Sequence, residues 1–229
     1  MFYNYFIWNN ISSLEYGWIK ETPFPSNSTQ NFEYTAIPKT DMLLVVNKFT
    51  RNKISLSFEL QLKDRQKYNY VYAWLNGANK QGKLIISDDL NKFYYATCSS
   101  IKPKYQKYNI STLTITFDCQ PFRYNINDEP ISLSTNSSIN VGGNYYSEPK
   151  IKAVGSGSGN IVINNTTLQL YNIDGYYIVD SEKKVVYKDN TIYLNQTIGT
   201  LPIFQVGNNS VSFDGGITSL EIWKNERWL

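Results

Sequence analysis

Residues 53–63, KISLSFELQLK, alternate apolar and polar without a break. Ile54, Leu56, Phe58, Leu60 and Leu62 share one face of an extended chain, and Ser55, Ser57, Glu59 and Gln61 share the other. A period of two held this long is a strand, and it needs a sheet with one face on a core and the other on water or a partner. Residues 111–120 repeat the pattern. Leu113, Ile115, Phe117 and Cys119 point one way, and Thr112, Thr114, Thr116 and Asp118 the other. The threonine row suits a sheet surface against something polar. Composition agrees: 19 Tyr, 11 Phe and 5 Trp make the chain 15% aromatic. Aromatic and β-branched residues favour strands. The expected class is mainly β.

One helix interrupts the strands. Tyr68, Val71, Tyr72 and Leu75 fall at i, i+3, i+4 and i+7. Asp64 is positioned to cap the N-terminus, and Gly77 to end the helix with positive φ. A hairpin is expected next, with strands at 83–87 and 92–97 around a turn at 88–91. Before the helix, the sequence predicts strands at 2–8, 14–20, 32–37 and 42–48. Asn9 and Asn10 make a turn, and the proline-bearing stretch 21–30 a loop. The 94–101 strand should pair with 111–120 across a connection at 102–109. The polar stretch 125–130, NINDEP, marks the boundary between domains 1–127 and 128–229. Beyond it come short strands at even spacing, the pattern of a β-sandwich. Their expected positions are 131–134, 143–147, 150–154, 160–164, 167–171, 176–180, 184–187, 191–194, 203–205, 209–213 and 219–224. The GSGSG stretch at 155–159 reads as a flexible turn between two of them. Asp174-Gly175 and Asp214-Gly215 read as hairpin turns.

The residue types present narrow the chemistry. There is no histidine, which removes the commonest general base and the commonest metal ligand. Cys98 and Cys119 cannot build a four-cysteine zinc site, and read as reduced, buried small hydrophobes. The glycine stretch lacks the Lys-Ser/Thr of a phosphate loop. Asp88-Asp89, Asp128-Glu129 and Asp180/Glu182 are expected to be solvated turn acids, with nothing to set two of them across a sugar cleft. The tyrosines of the second half, Tyr145, Tyr146, Tyr171, Tyr176, Tyr177, Tyr187 and Tyr193, suit a core or an interface. Trp223 and Trp228 are expected to close the sandwich or to pack on the first domain. A net charge of +3 without a basic stripe gives no footprint for nucleic acid. No stretch reaches the ~20 apolar residues of a membrane span, and the first residues lack a signal peptide's basic region. Folding in a cytoplasm is therefore expected, with no enzyme activity, cofactor, metal, catalytic or cofactor-binding residue.

Several stretches together resemble the distal tail protein (Dit) family, the baseplate hub of long-tailed siphophages. They are NISS at 10–13, the helix ending in WLNG with GKLIISDD and FYYA after it, and FDCQPFRY at 117–124. EPKIKAVGSGSGNIVIN at 148–164 and GITSLEIWKNERWL at 216–229 complete the set. The resemblance implies a ring-forming, split-barrel-like N-terminal domain with one α-helix, followed by a galectin-like β-sandwich. It implies a homo-hexameric ring with a central channel at the tail tip of a virion, assembled in the host bacterial cytoplasm. One ring face would meet the major tail tube protein and the other the tail-associated hub or lysin protein, with the outer domain supporting a receptor-binding protein. That outer domain is short, as in a minimal form. A prophage or phage-derived bacteriocin could use the same part. The rival functions are a carbohydrate-binding module for host wall glycans and a hydrolase. The second lacks both histidine and paired acids.

Overall fold

The computed structural model describes residues 4–24, 27–77, 81–105 and 111–229. Phe2 and Tyr3 of the expected first strand, and 106–109 of the expected connection, lie outside these. The chain divides into two compact units, residues 1–123 with Leu229, and residues 124–228.

The first unit holds β1 (Phe6–Trp8), β2 (Ile11–Ser12), β3 (Gly17–Ile19), β4 (Gln30–Ala36), β5 (Leu43–Arg51), β6 (Ile54–Leu62), α1 (Tyr68–Leu75), β7 (Gln81–Ile86), β8 (Asp89–Tyr105) and most of β9 (Ser111–Asn125). One sheet runs β2-β1-β7-β8-β9-β6-β3 and curls into a half barrel. Asn4, just before β1, makes a single bridge to Ile19 of β3, the last strand of that order. The alternating strand behaves as its pattern requires: Ile54, Leu56, Phe58, Leu60 and Leu62 are buried. Opposite them on β9 lie Cys119, Phe117, Ile115 and Leu113, also buried. Phe6, Phe58 and Phe117 pack at ring separations of 4.9 to 5.9 Å, and Trp8 lies 5.0 Å from Phe117. Helix α1 lays Val71 and Leu75 into this core.

Several local expectations change. The helix turns Trp74 inward, half-buried and stacked between Phe6 and Tyr16, while Tyr72 is exposed. Gly77 is not at positive φ. Asn76 ends the helix instead, by giving its backbone N–H and side-chain amide to the Tyr72 carbonyl. The return of β1 is the short β2, across Asn9 and Asn10 at φ 48° and 69°. The expected 14–20 strand is reduced to β3, which pairs with β6 at the far end of the sheet because Gly17 lets the Gln61 carbonyl approach where a Cβ would stand. Thr112 is buried and breaks the exposed threonine row. The β7–β8 turn is Ser87-Asp88 alone, since Ile86 already faces Asp89.

The second unit contains β10 (Ile131–Leu133), β11 (Ser137–Val141), β12 (Lys150–Ile163), β13 (Thr166–Asp180), β14 (Val185–Lys188), β15 (Thr191–Ile192), β16 (Thr197–Gly199), β17 (Gly207–Phe213), β18 (Ile217–Trp223) and β19 (Arg227–Trp228). Stretch 155–159 is not a turn but the middle of β12, which stays paired with β13 from Lys150 to Ile163. The first part of β12 pairs with β18 and its last part with β17; β13 likewise passes from β16 to β14. Both halves feed one core, in which Ile151, Ala153 and Val179 join Ile161, Ile163, Leu168 and Val211. The two strands therefore bend over and serve both layers of a sandwich. Glycine allows the bend. A Cβ on Gly155 would lie 2.0 Å from the Gly216 carbonyl oxygen, and one on Gly216 1.8 Å from that of Ser156. Asp174-Gly175 likewise sits inside β13, opposite Ser156 and Gly155, whereas Asp214-Gly215 does connect β17 to β18. Of the expected 143–147 and 203–205 strands only bridges remain, including Ser147 to Phe204, and β11 forms instead.

Candidate assembly surface

Strands β4 and β5 form a two-stranded sheet of their own. Phe32 opposes Asn47, Tyr34 opposes Val45 and Ala36 opposes Leu43, so these share one face; Glu33 with Val46 and Thr35 with Leu44 share the other. Pro38 and Lys39 occupy the centre of the tip turn, in which the Thr40 N–H donates to the Ile37 carbonyl at 3.3 Å. Lys39 has φ 64°, the positive value that a type II turn needs at that place. At the base, the Arg51 guanidinium donates to the Ser28 carbonyl at 2.6 Å, and the Ser28 hydroxyl to the Asn52 carbonyl at 2.6 Å. Lys48 pairs with Glu33 across the strands.

What sets this arm apart is exposure on both faces. Every residue of β4 is exposed, and none from either strand enters a core cluster. Tyr34 is 62% exposed, Met42 68%, Leu43 57%, Val45 52% and Phe49 86%. An isolated hairpin is marginal in water, and a contiguous apolar surface of this kind marks an interaction site. A second opening lies beside it. β3 covers only Leu60, Gln61 and Leu62 of β6, so the outer edge of Ile54–Glu59 has no strand partner among the described residues.

The outward face of β6 and β9 is different in kind. Lys53 pairs with Asp118 at 2.5 Å, the Ser55 hydroxyl also donates to Asp118, Ser57 and Thr116 hydroxyls meet at 3.0 Å, and Lys104 pairs with Glu59 at 2.8 Å. Hydrogen bonding from these lysines holds both carboxyls below their ordinary range. The face offers hydroxyls and charges already matched.

The side chains weighed for chemistry are not brought together. No group of three metal-ligating side chains occurs among the described residues. Both cysteines are free thiols; burial pushes Cys98 up to about 11 and Cys119 up to about 12, away from nucleophilic use. Two of the acids are not solvated as expected. Asp180 is buried and accepts the Lys183 N–H at 3.0 Å. Asp128 accepts the Asn225 N–H at 3.0 Å, and burial raises its carboxyl. Asp89 is held by Lys92 at 2.8 Å. Among the second-half tyrosines Tyr177 is buried, bonded to the Asn172 carbonyl, while Tyr176 carries Lys152 and Lys188 near its face at 5.6 and 5.7 Å. Trp223 has Lys150 at 4.9 Å. No described helix is long and apolar enough to cross a membrane.

The arm itself was readable only as two strands. Its signal is MLLVV at 42–46, an unbroken apolar run of the kind a strand buried on both faces carries. In a hairpin with no helix beside it, that run has nothing in its own unit to cover it.

Residues 10–119 match the family of the phage tail protein RIFT-related domain. No curated protein matches the chain by sequence. Among solved structures, the crystal structure of the Dit (gp 19.1) protein of phage SPP1 aligns with a TM-score of 0.77. The alignment covers 99% of each chain at 13% identity. That protein is described as a paradigm of the hub adsorption apparatus in phages infecting Gram-positive bacteria.

Proposed function

We propose that this chain, a Dit-like structural protein of a siphophage tail, closes into a hexameric ring that joins the tail tube to the hub protein at the tip. The observation that carries the reading is the β4–β5 arm. It lies within the residues that match the tail-protein family, and it leaves apolar side chains bare on both faces. A closed ring needs heterologous contacts, in which two different patches of one subunit meet. The arm and the open β6 edge are two such patches on one unit. The matched-charge, hydroxyl-bearing face of β6 and β9 suits the wall of the central channel, because Lys53 and Lys104 are already paired there and do not hold a passing polyanion. The second unit supports receptor-binding components, with 1–127 acting as the ring-forming domain and 128–229 as the receptor-supporting one. The protein acts by assembly, without catalysis.

A glycan-binding role for the sandwich has less support. Sugar stacking needs bare aromatic faces, and those of Trp223 and Tyr176 have lysine ammonium groups beside them. Native mass measurement and negative-stain imaging of the purified full chain test the ring reading. Six subunits in a ring with an open centre are expected. A monomer at every concentration, with and without the tail tube and hub proteins, would refute it.

A further inference from the structure

The first unit holds a cleft of about 380 Å³ at the β7–β8 turn, a size that suits a small ligand. Ile86 and Phe24 line its apolar side, and Phe24 is almost fully exposed at the rim. On the polar side, Asp89 takes the Lys92 ammonium at 2.8 Å. The Arg123 guanidinium stands 3.6 Å from the same carboxylate, too far for a hydrogen bond, on a side chain only 27% exposed. Its Nε is buried without a partner, and the guanidinium makes no hydrogen bond among the described residues. Tyr94 is 4% exposed and lines the same cleft, and its hydroxyl has no partner among the described residues. Burial pushes the Tyr94 phenol up, and the Arg123 charge lies near enough to oppose that push. The hydroxyl therefore keeps its proton at neutral pH. Two donors line one space with no acceptor, a costly state for groups so far from water.

An anion supplies what these donors lack. A lone anion, however, would meet Asp88, whose carboxylate receives the Thr22 hydroxyl at 2.6 Å but has no cation among the described residues. The two acids and two bases of the lining cancel in formal charge. A fitting ligand is therefore neutral overall and carries one charge of each sign. A planar carboxylate matches the guanidinium fork, whereas a phosphate brings more negative charge beside two aspartates. We propose that this cleft binds a short zwitterionic peptide by its free carboxylate end. The carboxylate accepts from Arg123 and Tyr94, an ammonium group meets Asp88, and the apolar part lies on Ile86 and Phe24. The site belongs to a single chain, so the ring reading and this one can fail separately.

The dipeptide Lys-Leu, titrated calorimetrically into the full chain, is the probe. Its C-terminal amide lacks the carboxylate and should bind at least about tenfold more weakly, as for a lost hydrogen bond to a charged group. Acetylating its amines should cost only about threefold, since Asp88 is exposed. Asp88→Asn should cost Lys-Leu the same and leave the acetylated peptide unchanged. Tyr94→Phe removes the hydroxyl alone. It should weaken Lys-Leu about tenfold, spare the amide, and melt no lower than the parent, because that hydroxyl has no partner to lose. Arg123→Lys keeps the charge beside Asp89 but not the fork, and should repeat the pattern. Wall-derived peptides and the chain ends of tail proteins both carry this chemistry. Displacement of Lys-Leu by a peptidoglycan digest, or by synthetic ends of the tube and hub proteins, names the source. Equal binding of free acid and amide, a Tyr94→Phe variant that binds Lys-Leu like the parent, or no saturable binding at millimolar peptide would each overturn the site.

Discussion

Replacing Tyr34 and Val45 together by serine separates assembly from folding. The two side chains oppose each other on one face of the arm and are 62% and 52% exposed. Fully burying such a side chain is worth about 1.5–3 kcal/mol, so covering the exposed half contributes roughly 1 kcal/mol each. The pair should therefore weaken each subunit contact by about 2 kcal/mol, or roughly 30-fold in dissociation constant. Its worth within the hairpin is only about 0.5 kcal/mol, typical of a cross-strand pair, and the arm belongs to neither core. The melting temperature should hardly move. Phe58→Ala makes the control. Phe58 is fully buried against Phe6 and Phe117, and its loss should cost about 3–5 kcal/mol of stability. Sedimentation velocity over a concentration series reads the first quantity, and thermal melting the second. If the serine pair lowers the melting temperature as far as Phe58→Ala does, or leaves the assembly curve in place, the assignment of the arm to an interface is wrong.

Other outcomes follow from the same structure. Glu226 is buried, which opposes its charge, but Lys224, the Gly142 N–H and Asn125 win and hold its carboxyl low. A depressed carboxylate stabilises above its unfolded value and loses that contribution as pH falls through the folded one. Acid unfolding of the parent should thus be steeper than that of Glu226→Gln, followed by fluorescence between about pH 6 and about pH 2. Asp128 has the opposite sign, since burial raises it and its charge costs stability as pH rises. Asp128→Asn should be neutral or stabilising at pH 7 by denaturant titration, and a loss above about 1 kcal/mol would contradict this. Gly216→Ala forces a Cβ onto the Ser156 carbonyl and should cost about 3 kcal/mol or more. Gly157→Ala meets nothing and pays only for φ 82°, about 1 kcal/mol. Both thiols should resist alkylation in the native protein at pH 8 and react once it is denatured.

What could be read from sequence followed the length scale of the signal. The 53–63 alternation placed β6 and its buried side correctly because a period of two has one structural solution. The pairing of β3 with β6 could not be read, since the partner is set by Gly17 and by the closure of the curled sheet. Glycines misled in the second unit. GSGSG looks like a turn from composition, yet its role is to let two strands pass close while staying paired. The assembly surface was half legible: MLLVV announced burial but not by what. Asp88 reads as a solvated turn acid and is one, exposed in the β7–β8 turn, but only the fold sets it beside Tyr94 and Arg123.

The chain leaves the curled sheet after β3 and re-enters it at β6, two strands that pair with each other. The departing and returning ends of the arm are themselves bonded, Ser28 to Asn52 and Arg51 to Ser28. Residues 30–51 therefore form a graft whose root does not depend on its length. Adding or removing matched residue pairs would change the reach by about 3.4 Å per residue along each strand without disturbing the barrel beneath. The diameter of what such a subunit can build is then adjustable by small insertions and deletions at a single place in the sequence.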